Sequence, residues 1–506
     1  MMVMLAQLVA AAAFSFFTPV AEAAQGKIPD TDVNPYGVNT FFSKEVEDWK
    51  KERTMQMIQQ AGIGWIKQEF EWDQIEFKKG YFYDDKFKKS AWQKYDQIVD
   101  LAAKYNVKIV ARLDRAPDWA RPANSNPGAP AKNYQDYADF VAEFVKHYKG
   151  KINYLQIWNE PNLHDEWLEG TPVDPKKYTE MLKLAYQAAK KADPNIKIMS
   201  APLAMNVENF PDRKNLSELI YLDEMYQAGA KQYFDILPAN GYGLEFEPEA
   251  KPDPKVLNFR RVELLHDIMV KYGDSNKAVW FNEYGWNASP ASFPPDKLIW
   301  RRVTEQQQAD YTVRGIQYAK QNWPWAGVVF IWYFRQVGDI PKDRSDYYFQ
   351  MVTPEFEPKP VYNSVKKAAL DYLTSTGQKT PPPVTPASPN NPGGVGAIPT
   401  AGTTPGASPA ATVFPTPPGA SPAAVTATAA VIPTATPAPT SAPTVAPPTA
   451  TATTAATVAP TPVASSGTSS DSGGGGLIPI IIGGLLVLGA GGGLAYYLIN
   501  QNRRRP

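Results

Sequence analysis

The chain reads as an α/β protein, a (β/α)8 barrel followed by a disordered stalk and one transmembrane helix. Three observations predict this. Eight short apolar, β-prone runs alternate with stripes of helical period between residues 36 and 332. All thirteen tryptophans lie between Trp49 and Trp332, so the core-forming side chains belong to one region. Composition then breaks: from Thr380 to Ser470 there is no charged residue and only one aromatic, Phe414.

The elements follow in order. Tyr36 to Phe41 reads as the first strand and Lys44 to Ala61 as its helix. Ile63 to Phe70 is the second strand; Lys94 to Tyr105 is a helix with Ile98, Val99, Leu101 and Ala102 on one face. Val107 to Leu113 follows as a strand. Tyr137, Phe140, Val141, Phe144, Val145 and Tyr148 then keep the three–four spacing of an amphipathic helix. Tyr154 to Trp158 is the fourth strand, and Tyr178, Met181, Leu182, Ala185, Ala188 and Ala189 the next helical stripe. Ile196 to Ser200, Phe234 to Ala239, Ala278 to Asn282 and Gly327 to Trp332 read as strands five to eight. Strands alternating with helices in this way close into a TIM barrel, whose active groups gather at the C-terminal strand ends.

The boundaries follow from composition. Residues 1–23 read as a signal peptide: an apolar run from Leu5 to Phe17 precedes the small-x-small site Ala21-Glu22-Ala23. Residues 28–375 form the barrel. Residues 376–476 form a Pro/Thr/Ala-rich linker that buries too little apolar surface to offset its ordering entropy. Residues 477–499 are apolar, uncharged and long enough to span a bilayer. Residues 500–506 carry Arg503, Arg504 and Arg505, which the positive-inside bias keeps cytoplasmic. The expected topology is an exported protein anchored at the cell surface, with the barrel outside.

Charge is balanced, 51 basic against 51 acidic residues, which gives no footprint for nucleic acid. There is no cysteine, so disulfide and thiolate chemistry are excluded. His147, His164 and His266 are the only histidines and lack metal-ligand spacing. No cofactor and no metal are expected, and the barrel reads as a monomer.

Two strings carry the chemistry: Gln156-Ile157-Trp158-Asn159-Glu160-Pro161-Asn162 and Trp280-Phe281-Asn282-Glu283-Tyr284-Gly285-Trp286. Each sets a glutamate at the end of an apolar run, on strands four and seven. Two carboxyl groups carried to one cleft by separate strand ends are the minimum equipment for cleaving a glycosidic bond. The carboxylates Glu69, Glu71, Asp73 and Glu76 read as solvated or structural, with Glu71 or Asp73 able to face the cleft.

With these motifs, the chain from Asn34 to Ala368 resembles a clan A glycoside hydrolase of the family 5 and family 39 type. Trp158 to Asn162 is similar to that clan's acid/base motif, and Asn282 to Trp286 to its nucleophile motif. Phe70 to Glu76, Ala116 to Trp119, Tyr242-Gly243 and Trp332 are lesser matches. Two positions depart: Lys67 stands where the clan often has Arg, and Asn240-Gly241 where family 39-like members often have His-Pro.

The resemblance implies a retaining mechanism, with Glu283 as nucleophile and Glu160 as acid and then base, their carboxyls about 5–5.5 Å apart. It implies that Asn159 binds the sugar 2-hydroxyl and that Tyr242 orients Glu283. Trp332 reads equally as sugar platform and barrel core, Trp286 is a further platform candidate, and Lys67 and Asn240 are candidate cleft contacts. The expected substrate is an extracellular poly- or oligosaccharide with β linkages. Two alternatives stand beside hydrolysis: a transglycosylase remodelling the cell's own exopolysaccharide, and a catalytically silent carbohydrate-binding surface protein.

Overall fold

A computed structural model describes residues 27–168, 171–298, 301–338 and 341–381. The expected signal peptide, membrane helix and basic tail, and the linker beyond residue 381, lie outside the described residues. Among the described residues no helix is long and apolar enough to cross a membrane.

Eight parallel strands close the barrel: β1 (Tyr36–Thr40), β2 (Trp65–Glu71), β3 (Lys108–Asp114), β4 (Tyr154–Ile157), β5 (Lys197–Met199), β6 (Ile236–Tyr242), β7 (Ala278–Gly285) and β8 (Ala326–Ile331). Each pairs with its sequence neighbours, and β1 pairs with β8 to complete the ring. A helix follows every strand: α1 (Asp48–Gln60), α2 (Gln93–Lys104), α3 (Tyr134–His147), α4 (Pro175–Ala192), α5 (Glu218–Gln227), α6 (Val262–Lys271), α7 (Glu305–Asn322) and α8 (Pro360–Ser375). Their starts are written locally. Asn133 and Asp174 cap α3 and α4 through their side chains, and Thr304 with Gln307 forms a capping box on α7.

The ring interior changes character along its axis. At one level Trp65, Val110, Met199, Ile236, Trp280, Val328 and Phe330 pack together, with Trp65 edge-on to Trp280 at 5.0 Å. Side chains two residues further along share that face, because strand side chains alternate. Trp65 is thus followed by Lys67 and Glu69, and Val110 by Arg112 and Asp114. The inner face therefore runs from an apolar floor to a charged roof at the C-terminal strand ends.

Three boundaries differ from the sequence reading. Helix α1 begins at Asp48, not Lys44, because Glu45 stays extended and forms a buried ion pair with Arg335. Strands β6 and β7 run on to Tyr242 and Gly285, so Asn240, Tyr242 and Glu283 stand within strands, not beyond them. A short hairpin, Tyr83–Asp84 with Lys89–Ser90, was not anticipated and precedes α2.

The start of α5 is tied to the loop after β6 by a buried ion pair, Arg261 with Glu218, whose side chains are 2% and 1% exposed. Arg261 also donates to the Asp253 carbonyl, and Glu218 accepts from the Asn206 amide. Removing one partner leaves the other charge buried and alone. Arg261→Met is expected to cost about 3–5 kcal/mol, read from the guanidinium unfolding midpoint. A loss below about 1 kcal/mol would show that the pair contributes little.

Candidate active site

Glu283 reaches the barrel interior through a bulge. Ala239 pairs with Phe281, but the next residue, Asn240, pairs with Glu283, so Asn282 is an extra residue in β7. Strict alternation would put Glu283 on the same face as Phe281. The inserted residue resets the phase, a common device beside functional sites. Phe281 and Tyr284 both pack outward in the main core, while Trp280 and Glu283 both face inward. The Tyr284 hydroxyl donates to the Thr312 carbonyl on α7 and pins the outward face.

Glu160 gets its position from backbone conformation instead. Trp158 and Glu160 both have left-handed φ values, 72° and 36°. Such values are rare for residues other than glycine and are held only by surrounding contacts. Those contacts are present. The Trp158 indole donates to the Glu166 carbonyl at 3.1 Å and packs edge-on to Tyr137. The Glu160 amide donates to the Pro202 carbonyl at 3.1 Å.

The two carboxyls have different partners. Glu283 accepts from Lys67 Nζ at 3.0 Å and from the Tyr242 hydroxyl at 2.8 Å, one on each oxygen. Both are donors that a carboxylate accepts. Glu160 accepts from Asn240 Nδ2 at 2.6 Å, a neutral amide. Burial pushes the Glu160 carboxyl well above the usual range, and the charges of Glu283 and Glu166 push it further against the pull of Arg112 and Lys67. Burial also pulls the Lys67 ammonium down, opposed by the Glu283 charge beside it. Burial and the two glutamates hold the Tyr242 phenol well above its ordinary value, so it remains a donor.

Most of the residues expected at the site are therefore brought together in two hydrogen-bonded groups, Lys67 and Tyr242 on Glu283 and Asn240 on Glu160, whose charges act on each other. Trp332 adjoins it, 5.9 Å from Lys67 Nζ, and packs with Met205, Tyr242, Tyr333 and Phe349 apart from the barrel floor. Asn159 is buried, and neither polar atom of its side chain has a partner among the described residues.

Trp286 belongs elsewhere. It packs in the main core against Tyr284, Phe259 and Tyr311, and its indole donates to the Phe246 carbonyl at 2.7 Å. A Cβ on Gly243 would stand 1.9 Å from this ring, so the glycine after Tyr242 makes room for the indole. The expectation of a sugar platform at Trp286 is corrected to a packing role.

Arg112, Glu166 and Asn282 were not singled out in the sequence. Arg112 Nε donates to Asp114 Oδ2 at 2.5 Å, and its Nη2 lies 3.5 Å from Glu69. The signal for Arg112 was its alternation with Val110 in an apolar strand. Glu69, Glu71 and Asp73 pair with Arg112, Lys94 and Arg115, and Glu76 is buried, so these carboxylates are structural and not solvated. Among the described residues no group of three His, Cys, Asp or Glu side chains is arranged to hold a metal.

Residues 34–220 match the family model described as glycosyl hydrolase family 10. Solved structures resemble the chain at low identity. A family 39 glycoside hydrolase from the gut symbiont Bacteroides cellulosilyticus WH2 is 22% identical, with a TM-score of 0.51 over 67% of this chain and 63% of that one. The family 39 enzyme from Xanthomonas axonopodis pv. citri is 17% identical, with a TM-score of 0.49 over 69% and 67%. A family 39 β-xylosidase from Caulobacter crescentus is 14% identical, with a TM-score of 0.48 over 69% and 72%. The chain thus spans just under two thirds of the Bacteroides structure, and that likeness is one of fold. The closed barrel and the family-model match fit a clan A glycoside hydrolase. Glycosidase is the class of protein that this barrel and this match fit.

The raised carboxyl of Glu160 has a consequence for stability. Its folded value lies above its unfolded one, so the folded state holds the extra proton between the two. The stability this proton contributes is complete below the unfolded value, about 4.3, and is lost as pH rises through the folded value. Glu160→Gln has no such loss. The melting temperature of Glu160→Gln minus that of the parent is expected to widen by about 2 °C or more from pH 4 to pH 9. A gap that stays constant with pH would refute the burial-driven shift.

Proposed function

We propose that the protein hydrolyses β-glycosidic bonds in an extracellular poly- or oligosaccharide, with Glu283 as nucleophile and Glu160 as acid/base. The observation that carries this assignment is the asymmetry of partners: a cation and a phenol on Glu283, a neutral amide and a raised pKa on Glu160.

In the first half a Glu283 oxygen attacks the anomeric carbon. The bond to the leaving oxygen breaks, and Glu160 gives that oxygen its proton. The product on the enzyme is an ester, which has lost the negative charge of Glu283. That charge was one of the causes holding Glu160 up, so the Glu160 pKa falls. Glu160 then takes a proton from water, the hydroxide oxygen attacks the anomeric carbon, and Glu283 leaves as a carboxylate. Lys67 and Tyr242 hold Glu283 in line before attack and receive its charge again at the end.

The orphan polar atoms support a sugar ligand. Buried polar groups without partners are uncommon in folded proteins. Here both side-chain atoms of Asn159 and the indole nitrogen of Trp332 lack partners among the described residues. In this reading Asn159 takes the 2-hydroxyl, and Trp332 offers its ring and its N–H to the sugar.

Two measurements test the proposal. With the full chain and unactivated β-linked oligosaccharides, Glu283→Gln is expected to lower kcat on the order of 10⁴-fold or more. Glu160→Gln should lower it ~10²–10⁴-fold, spare glycosyl transfer from aryl glycosides with good leaving groups, and remove the alkaline limb of kcat/KM. Activity that survives Glu283→Gln sinks the assignment. The proposed location is the outer surface, with residues 477–499 as anchor. Protease added to intact cells should then digest the barrel, and a barrel protected until lysis would exclude that topology.

A further inference from the structure

The barrel carries an aromatic, basic hairpin that the catalytic site does not use. It occupies residues 77–90, between β2 and α2, on the rim that holds Glu160 and Glu283. Among the described residues nine large apolar side chains are well exposed, and four of them fall here: Phe77, Tyr81, Tyr83 and Phe87, at 37%, 36%, 39% and 61%. Such clustering marks interaction sites more often than scattered exposure does.

The hairpin is built to be rigid at its root. Glu76 is buried and accepts from the Trp72 indole and from the Gly80 amide, each at 2.6 Å. The Trp119 indole donates to the Glu76 carbonyl at 3.0 Å. Phe82 points inward and stacks on Trp92 at 5.4 Å. Alternation therefore turns Tyr81 and Tyr83 outward on the opposite face. At the tip, Asp84 Oδ1 accepts from the amides of Lys86 and Phe87 and fixes the turn that presents Phe87. An apolar loop without a ligand could bury these rings by relaxing, but this one is anchored with its rings out.

Its charge points to the ligand. Five lysines face two aspartates in these fourteen residues, while the chain as a whole is neutral. Lys79 pairs with Asp136 and Asp139 on α3. Lys78, Lys86, Lys88 and Lys89 are exposed and have no carboxylate partner among the described residues. Lys86 and Lys89 stand 5.0 and 5.5 Å from the Phe87 ring, and Lys78 5.5 Å from that of Tyr81. A ring with ammonium groups close to it suits a pyranose that carries a carboxylate: the apolar face of the sugar packs on the ring while the acid meets the cation.

We propose that the hairpin at residues 77–90 is a binding site for an acidic, uronate-bearing polysaccharide, separate from the catalytic constellation. The choice of a sugar ligand rests on the glycosidase reading; the excess of lysines sets its charge. A lipid surface would also accept rings and lysines, but the placement beside the catalytic rim favours the polysaccharide.

The test uses the full chain carrying Glu283→Gln, so that binding is read without cleavage and independently of the kinetic assignment. Native gels containing polygalacturonate, alginate or glucuronoxylan are compared with gels containing neutral arabinoxylan. Retardation is expected in at least one acidic gel, stronger than in the neutral one and weakened by salt. Tyr83→Ala with Phe87→Ala should weaken it at least about tenfold, and so should Lys86→Gln with Lys88→Gln and Lys89→Gln, since each set removes contacts of roughly 1.4 kcal/mol or more. All these side chains are exposed, so an unchanged melting temperature is the control for folding. Retardation that is absent, equal in neutral gels, or unmoved by either set overturns the proposal. Loss in only one set overturns it too, because ring and charge are required together. Binding to phosphatidylserine vesicles that the same substitutions abolish, without gel retardation, would assign the hairpin to a membrane instead.

Discussion

Lys67 and Glu283 form an ion pair in which neither side chain is more than 4% exposed. Taking two charges out of water costs several kcal/mol per ion, and attraction repays that only with good geometry and further hydrogen bonds. Much of the catalytic end follows from meeting that requirement. Tyr242 supplies the second bond to Glu283, and Arg112 is held nearby by Asp114 and Glu69. A second carboxyl added to such a place cannot also be charged cheaply. Its own burial, and then the Glu283 charge beside it, raise the Glu160 carboxyl well above the usual range. Two chemically identical groups thereby keep different company, a cation and a phenol on Glu283 and a neutral amide on Glu160.

The barrel supplies this environment through its layering. The floor is a dry layer in which Trp65, Trp280 and Phe330 meet, with the Tyr154 ring stacked on Trp280 at 5.0 Å. Lys67 and Arg112 stand two residues above Trp65 and Val110 on the same strands. The same strands therefore provide both the apolar packing that fixes their position and the charges that this packing desolvates. Asn240 fits the scheme. It gives Glu160 a neutral donor, so no imidazole titrates beside the acid.

Much of this was legible in the sequence. Eight strands and their helices could be read because Tyr137, Phe140, Val141, Phe144 and Val145 keep a helical period and the strands are short and apolar. The two glutamate strings stood out because polar residues at the ends of apolar runs are unusual. What was not legible depends on phase and on distance in sequence. Trp286 looks like its neighbours in the motif, yet its ring is taken by packing against residues 25 or more positions away, which local pattern does not encode. Arg112 acts on Glu160 from 48 residues away in the chain. The extended conformation of Glu45 depends on Arg335, 290 residues later.

The extra residue at Asn282 has a further consequence, for how this chain can vary in length. In the loops after the strands, a residue gained or lost shifts the path of a connection and little else. Within β7 the same event is not local. A residue gained beside Asn282 would turn Glu283 toward the helices and Tyr284 toward the cleft, exchanging the contents of core and cleft together, whereas loss of Asn282 itself would only straighten the bulge. Insertions at this point of the strand are thus excluded by geometry. The shape of the cleft remains open to change in the loops, while the spacing from floor to carboxylate is fixed to the residue.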